Sequence, residues 1–301
     1  MFEEIKQQQQ WRIVEKIEKG WSDDTKYYIE TSDHKKLLLR LSDRDHYELK
    51  KNEFEMMRKC SGLGFKMTEP IGFGVCNQNQ NVYILLTWID GEDLEVALPK
   101  LKEDRQYALG REAGGILRKI HRLKVPDDQI PTHTKIHKKK KQLQKYLESD
   151  VRIPGDEAVL AFINNNLGMI GSQSPAYLHG DFHPGNLILT PNGELGVIDF
   201  NRWEIGDPYE EFYKLESFGT AVSLPFCQGQ IDAYFGDHGP SDDFWKILAV
   251  YVAHASLYSV KWAERFGQTD IDNMIEIGKK SWAHYDNFKN FIPDWYHSES
   301  K

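Results

Sequence analysis

Cysteine is scarce in this chain of 301 residues: there are three, Cys60, Cys76 and Cys227, odd in number and far apart. That spacing excludes a disulfide framework and a zinc knuckle, and it fits a reducing compartment, so the protein is expected in the cytoplasm. Positive charge is also short, with 38 Lys and Arg against 46 Asp and Glu and a net charge of -8. A nucleic-acid binder needs surplus cations to meet phosphates, so no nucleic-acid partner is expected. Long apolar runs are missing as well. The nearest, Phe244 to Val260, carries Lys246, His254 and two serines and reads as a buried helix, with no membrane association expected. The first ten residues, Met1 to Gln10, are charged and polar without an apolar centre, which does not fit a signal peptide.

A 40% hydrophobic content is enough for a substantial core in one large or two modest domains. The most informative stretch is Tyr177-Leu-His-Gly-Asp-Phe-His-Pro-Gly-Asn-Leu-Ile-Leu189, followed by Gly196-Val-Ile-Asp-Phe200. Leu187 to Leu189 and Leu195 to Ile198 are short apolar runs separated by the turn signal Thr190-Pro-Asn-Gly-Glu194, so they predict a hairpin. Antiparallel pairing would bring Asn186, entering the first strand, beside Asp199, leaving the second. Phosphoryl transfer to a hydroxyl needs a base against the acceptor and hard oxygen ligands for Mg2+ on the phosphates. Asp181 suits the base, and Asn186 and Asp199 suit the metal. These three groups are expected to converge on the terminal phosphate of a nucleotide.

On these residues the chain resembles the aminoglycoside phosphotransferase and choline kinase superfamily, the small-molecule relatives of protein kinases. The segment Asp199-Phe-Asn-Arg-Trp-Glu-Ile-Gly-Asp-Pro208 is similar to that family's metal-binding aspartate and its Gly-Asp-Pro segment. The resemblance implies an α+β, protein-kinase-like two-lobed fold: an N-terminal five-stranded antiparallel sheet plus helix, then a larger, mainly helical C-terminal lobe. It implies Asp181 as the catalytic aspartate and Asn186 and Asp199 as metal ligands, with His179 bracing the loop and His121 structural. A nucleotide-binding lobe over 1–89, a hinge near 87–91 and a catalytic and acceptor-binding lobe over 90–301 follow.

The first third supports a sheet locally. Trp11 to Ile17 alternates, Lys26 to Thr31 is rich in strand formers, and Lys36 to Leu41 and Val82 to Ile89 are further short runs. The turn from Glu18 to Thr25 holds one glycine; by resemblance it is the nucleotide-covering loop, with Ser22 as its phosphate contact. Tyr47 to Lys59 reads as a helix carrying Glu53. The kinase pattern wants a lysine in the third strand paired to that glutamate, and here Arg40 takes the place. Arginine keeps the charge but changes the shape of the contact. The hinge candidates for the nucleotide base are Thr87, Trp88 and Ile89, read through their backbone, with the Trp88 ring itself expected in the core.

Asp104 to Leu123 has helical apolar spacing, and the lysine run Lys138 to Lys141 reads as a solvated helix face. After residue 200 there are sixteen acids against nine bases. This points to an acceptor pocket in this lobe that draws an amino-bearing substrate to some of the acids among Glu204, Asp207, Glu210, Glu211, Asp232, Asp237, Asp242 and Asp243, with Asp207 alternatively tying down the segment after the metal ligand. The expected function is an ATP- and Mg2+-dependent kinase, GTP not excluded, of a hydroxyl on a small cationic molecule, aminoglycoside-like as the first choice. The alternatives are a metabolic kinase of an amino alcohol, sugar or macrolide, and a nucleotide-binding regulator without turnover, which Arg40 and the glycine-poor loop would suit.

Overall fold

The computed structural model describes residue 2 and residues 4–18, 23–132 and 135–297. The chain divides into two compact units, one of residues 1–94 with 186–203 and one of residues 95–185 with 204–301. The hairpin read around residues 187–198 therefore packs with the first third of the chain, not with its sequence neighbours.

In the first unit, β1 (Trp11–Ile17), β2 (Thr25–Thr31) and β3 (Lys36–Asp43) are followed by helix α1 (Tyr47–Cys60) and a short β4 (Lys66–Met67). β5 (Pro70–Cys76), β6 (Asn81–Thr87) and β7 (Glu92–Asp93) complete the early elements. Five of these strands form one antiparallel sheet in the order β1-β2-β3-β6-β5. The two-residue period of a strand divides β3 between two tasks. Leu37, Leu39 and Leu41 point to one face and join Ile5, Ile29, Cys76, Tyr83 and Leu85 in a hydrophobic cluster. Each such leucine contributes roughly 1.5–3 kcal/mol by leaving water. Leu38 and Arg40 point to the other face and line a cavity.

Helix α1 buries Lys50, Glu53, Met56, Met57 and Cys60 at helical spacing, so two ionisable residues sit on its inward face. The late hairpin, β9 (Leu187–Leu189) with β10 (Leu195–Val197), adds to β4 and β7 in a second sheet of order β4-β10-β9-β7. Gly91 allows β9 to pass close by: a Cβ there would stand 2.4 Å from the Leu189 carbonyl oxygen.

The second unit is mainly helical. After the short α2 (Leu94–Ala97) come α3 (Glu103–His121), α4 (Lys135–Leu147), α5 (Glu157–Asn166), α6 (Leu224–Phe235), α7 (Asp242–Ala263) and α8 (Gln268–His284). One two-stranded sheet pairs β8 (Ala176–Leu178) with β11 (Glu204–Gly206). α3 and α6 pack backbone to backbone. A Cβ on Gly114 would lie 2.2 Å from the Gln230 carbonyl oxygen, and one on Gly110 would lie 2.1 Å from that of Phe226. α7 is buried along most of its length, and the Ser241 hydroxyl caps its start by accepting from the Phe244 amide at 3.2 Å. Among the described residues no helix is long and apolar enough to cross a membrane.

The lysine run differs from the expected solvated face. Lys138, Lys140 and Lys141 are exposed, but Lys139 turns inward and pairs with Glu210 at 2.7 Å. Four residues in a row on a helix cannot share one face, and the one at the inward angle found a buried carboxylate.

Candidate active site

In the first unit the sheet, α1 and the late hairpin enclose a cavity of about 200 Å³. Leu38, Met57, Leu86, Ile188, Ile198 and Phe200 give it apolar walls, and Arg40 and Asp199 give it a charged end. Thr87, Trp88 and Ile89 form part of its rim. The Thr87 amide donates to the Glu69 carbonyl at 2.9 Å and the Trp88 amide to the Lys36 carbonyl at 3.0 Å, so both are committed to the protein. The Ile89 amide makes no such bond among the described residues. The Trp88 ring departs from the expected core position: it is 37% exposed and stands edge-on to Tyr28.

Arg40 and Glu53, predicted as a pair, meet in the structure, with Nη1 donating to Oε1 at 2.5 Å. They belong to a larger buried cluster. Arg40 Nε and Nη2 donate to Asp24 Oδ2 at 2.9 and 2.5 Å, and the Lys50 ammonium lies 2.7 Å from that oxygen and 3.2 Å from Glu53 Oε2. The Ser42 hydroxyl donates to Asp24 Oδ1 at 2.5 Å. Burial opposes ionisation of Asp24, but Arg40 and Lys50 outweigh it and hold the carboxyl below the usual carboxylate range. Burial likewise opposes the charge on Arg40, and Glu53, Asp24 and Asp199 reverse that effect. Ser22, expected on the phosphates, lies outside the described residues.

The hairpin ties Asn186 to the residue before Asp199, because the Ile198 amide donates to the Asn186 carbonyl at 3.1 Å. Asp199 adopts a left-handed backbone, φ 63°, ψ 67°, a conformation that L-residues other than Gly, Asn and Asp rarely hold. Its Oδ1 is buried without a hydrogen-bond partner and faces Arg40 Nη1 at 3.7 Å. An orphaned carboxylate oxygen costs free energy unless a cation or donor meets it. Among the described residues no group of three or more His, Cys, Asp or Glu could hold a metal. An aspartate carboxylate and an asparagine amide are hard oxygen donors of the kind that suits Mg2+ carried in by phosphates, which keeps several waters.

In the second unit β8 leads into the loop that carries Asp181. His179 is fully buried, and its Nδ1 accepts from the Asp181 amide at 3.3 Å. Gly180 takes φ 81°, which suits glycine. The Glu211 carboxylate accepts from the Gly180 amide at 3.2 Å and the Phe182 amide at 3.3 Å, and lies 3.7 Å from His121 Nε2. Burial works against that carboxylate's charge, yet His121, His179 and the Gly180 amide keep its proton affinity below normal. Asp207 is buried too. It accepts from the Gly171 amide at 2.8 Å, the Tyr251 hydroxyl at 2.9 Å and the Tyr209 amide at 3.0 Å, fastening the segment after the hairpin.

Asp181 is partly open, with Lys214 Nζ 2.6 Å and His183 Nε2 3.7 Å from its Oδ1. Sequence reasoning missed Lys214, although it is the one base between Asp207 and Gly219. Asp24 and Lys50 were missed too; Lys50 stands one helical turn before Glu53. Most of the acids after residue 200 prove to be engaged. Glu204 pairs with Lys135 and Lys138, Glu210 with Lys135 and Lys139, and Asp232 accepts from Tyr107 and Tyr296.

A five-stranded sheet and helix with an Arg-Glu pair, a hairpin ending in an aspartate, and a helical unit with a clamped His-Gly-Asp loop match the protein-kinase-like fold of phosphotransferases. The sequence matches the phosphotransferase enzyme family over residues 13–245, and the chain belongs to that family. It is thus a phosphotransferase. Among curated proteins none matches the sequence. Solved structures share the fold. The GDP complex of aminoglycoside 2'-phosphotransferase-IIIa is 15% identical with a TM-score of 0.69, covering 93% of this chain and 94% of its own. A thermostable mutant of aminoglycoside phosphotransferase APH(4)-Ia, in ternary complex with AMP-PNP and hygromycin B, is 14% identical with a TM-score of 0.71, covering 96% and 97%. Amicoumacin kinase hAmiN, in complex with AMP-PNP, Ca2+ and Ami, is 12% identical with a TM-score of 0.66, covering 93% and 90%.

Proposed function

We propose that this protein is a nucleotide- and Mg2+-dependent cytoplasmic kinase that phosphorylates a hydroxyl of a small molecule, with ATP as donor and an aminoglycoside-like acceptor as the first candidate. The observation that carries this reading is the cavity of the first unit, apolar along its walls and ending in Arg40 and the orphaned Oδ1 of Asp199. A flat heteroaromatic base suits the walls, with the Ile89 amide as its hinge donor. Arg40 and Lys50 offset phosphate charge, Glu53 orients both cations, and Asn186 and Asp199 hold the metal. Mg2+, when bound, supplies neutralisation of the charge on the phosphates.

Asp181 orients the acceptor hydroxyl and takes its proton. The hydroxyl oxygen bonds to the terminal phosphorus while the bond to the bridging oxygen breaks and its electrons leave with the nucleoside diphosphate. Catalysis of this kind is mostly positioning, so the carboxylate needs no raised proton affinity. An amino-bearing acceptor is supported by the net charge of -8 and by the exposed Asp237, Asp242 and Asp243. The buried acids give it no support, since their charges are met inside the unit.

The test is a kinase assay with MgATP and MgGTP over kanamycin, hygromycin B, an amicoumacin, choline, ethanolamine and a macrolide. Phosphorylated product from one of them, lost in Asp181→Asn while the nucleotide-induced rise in melting temperature persists, is the expected result. A nucleotide-induced rise without product from any acceptor would favour the regulator that binds nucleotide without turnover, a reading suited by Asp24 and Glu53 occupying the Arg40 fork.

A further inference from the structure

We propose that Lys214 is a positioning residue for phosphoryl transfer, acting through Asp181; this rests on Asp181 being the group that meets the acceptor hydroxyl. Lys214 stands at the start of a π-helical turn, Leu215–Gly219, that packs against α6, α7 and α8. The turn is pinned from within: Glu216 pairs with His284 and accepts from the Trp295 indole at 3.0 Å. The lysine's backbone is thus held by the helical core, not by a loose loop. Its side chain is 4% exposed, with the ammonium 5.0 Å from the Tyr213 ring centre and 5.3 Å from that of Phe218.

Burying an ammonium costs several kcal/mol unless a charge meets it, and lysine is among the residues least often found inside. The carboxylate assigned to the reaction meets this one, at 2.6 Å. The contact is an ion pair lying off the hydrogen-bond direction. It draws Oδ1 toward the ammonium and restricts rotation of the carboxyl. It also offsets the carboxylate's charge where an anionic phosphoryl group must approach, an effect that grows as the site loses water. His183 faces the same Oδ1 from farther away, at 3.7 Å, and its ring stacks toward Phe218 at 4.7 Å. Its Nδ1 accepts from the Gly185 amide at 3.2 Å, so a neutral ring carries its proton on Nε2.

The experiment is steady-state kinetics on Lys214→Met, Lys214→Arg, Asp181→Asn and the Lys214→Met/Asp181→Asn pair. The acceptor is whichever compound of the panel above turns over fastest. Because misplacing a reacting group by about 1 Å costs on the order of 100-fold, Lys214→Met should lower kcat by about that factor and leave the nucleotide KM within about twofold. Lys214→Arg should recover roughly tenfold of this loss, since the charge returns with a different reach. In the Asp181→Asn background the methionine should cost no more than about twofold, because residues acting as one unit are not additive. If Lys214→Met does not fold, Lys214→Gln serves in its place. A kcat within twofold of wild type for the methionine variant, or losses that multiply in the double variant, would overturn the inference and leave the reading of the enzyme standing. Absence of transfer by the wild type overturns both.

Discussion

Arg40 holds Asp24 with two nitrogens of one guanidinium, Nε at 2.9 Å and Nη2 at 2.5 Å from the same carboxylate oxygen. The strand position expected to serve phosphate is therefore filled by a carboxylate of the chain itself, and any phosphate must share it or displace it.

Asp24→Asn tests that competition. Breaking a buried ion pair by removing one partner costs about 3–5 kcal/mol, and the remaining Glu53 reduces this toward the lower end. Guanidinium chloride unfolding should show the loss, while isothermal titration with MgATP should show affinity equal to wild type or tighter. Arg40→Met should lose both stability and affinity, because Asp24 and Glu53 are then left facing each other with only Lys50.

Asp199→Asn should separate metal binding from folding. Oδ1 takes no hydrogen bond, its ion pair with Arg40 is long at 3.7 Å, and Asp24 and Glu53 remain on that guanidinium, so neutralising the carboxyl should change the unfolding free energy by less than about 1 kcal/mol. The Mg2+ concentration for half-maximal turnover should rise by more than about tenfold, since the proposed metal site loses its charged ligand. A metal titration at saturating nucleotide reads both outcomes.

His254 predicts a pH dependence. Burial, reinforced by the neighbouring Lys139 charge, pushes its imidazole down to about 3, and its Nε2 donates to the Lys139 carbonyl at 3.0 Å. The unfolded chain protonates near pH 6.5 while the folded one resists, so stability is lost as pH falls from about 6.5 toward 3. The slope from this one group is about 1.4 kcal/mol per pH unit. His284 acts oppositely: its bond to Glu216 raises its proton affinity, so its contribution is present at low pH and fades as pH rises. Comparing wild type with His254→Gln, which keeps a donor but does not titrate, isolates the His254 slope in urea midpoints taken from pH 7 to 4.

Gly114→Ala should be costly out of proportion to one methyl group. The new Cβ would meet the Gln230 carbonyl oxygen at 2.2 Å, and backbone cannot move aside as a side chain can. Separating α3 from α6 should lower the melting temperature by several degrees or more, as overpacking of about 1–3 kcal/mol does in a domain of this size. Gly115→Ala, where a Cβ meets nothing within 4 Å, is the control and should raise stability slightly.

Local pattern carried much of the fold. β1 spans Trp11–Ile17 as its alternation predicts, α1 runs Tyr47–Cys60, and the hairpin strands lie at Leu187–Leu189 and Leu195–Val197. β5 was not legible. Pro70, Gly72 and Gly74 are residue types that disfavour a strand, and β5 pairs with β6 where Gly74 leaves room for the Tyr83 ring of its neighbour, 2.9 Å from where a Cβ would be. Charge was the weaker guide. An excess of acids says nothing of which are exposed, and Glu204, Glu210 and Glu211 spend theirs on lysines, loop amides and a histidine.

The order of residues alone settled the family and the strand and helix periods, because a helical stripe, an alternating strand and a turn signal are all written within about ten residues. Only the folded chain decided that Arg40 and Lys50 meet Asp24, across 16 and 26 positions, and that Lys214 reaches Asp181 from beyond the hairpin. Those contacts are ionic and long-range in sequence. No local pattern encodes them, because an opposite charge becomes a partner only when burial removes the water that would otherwise serve it.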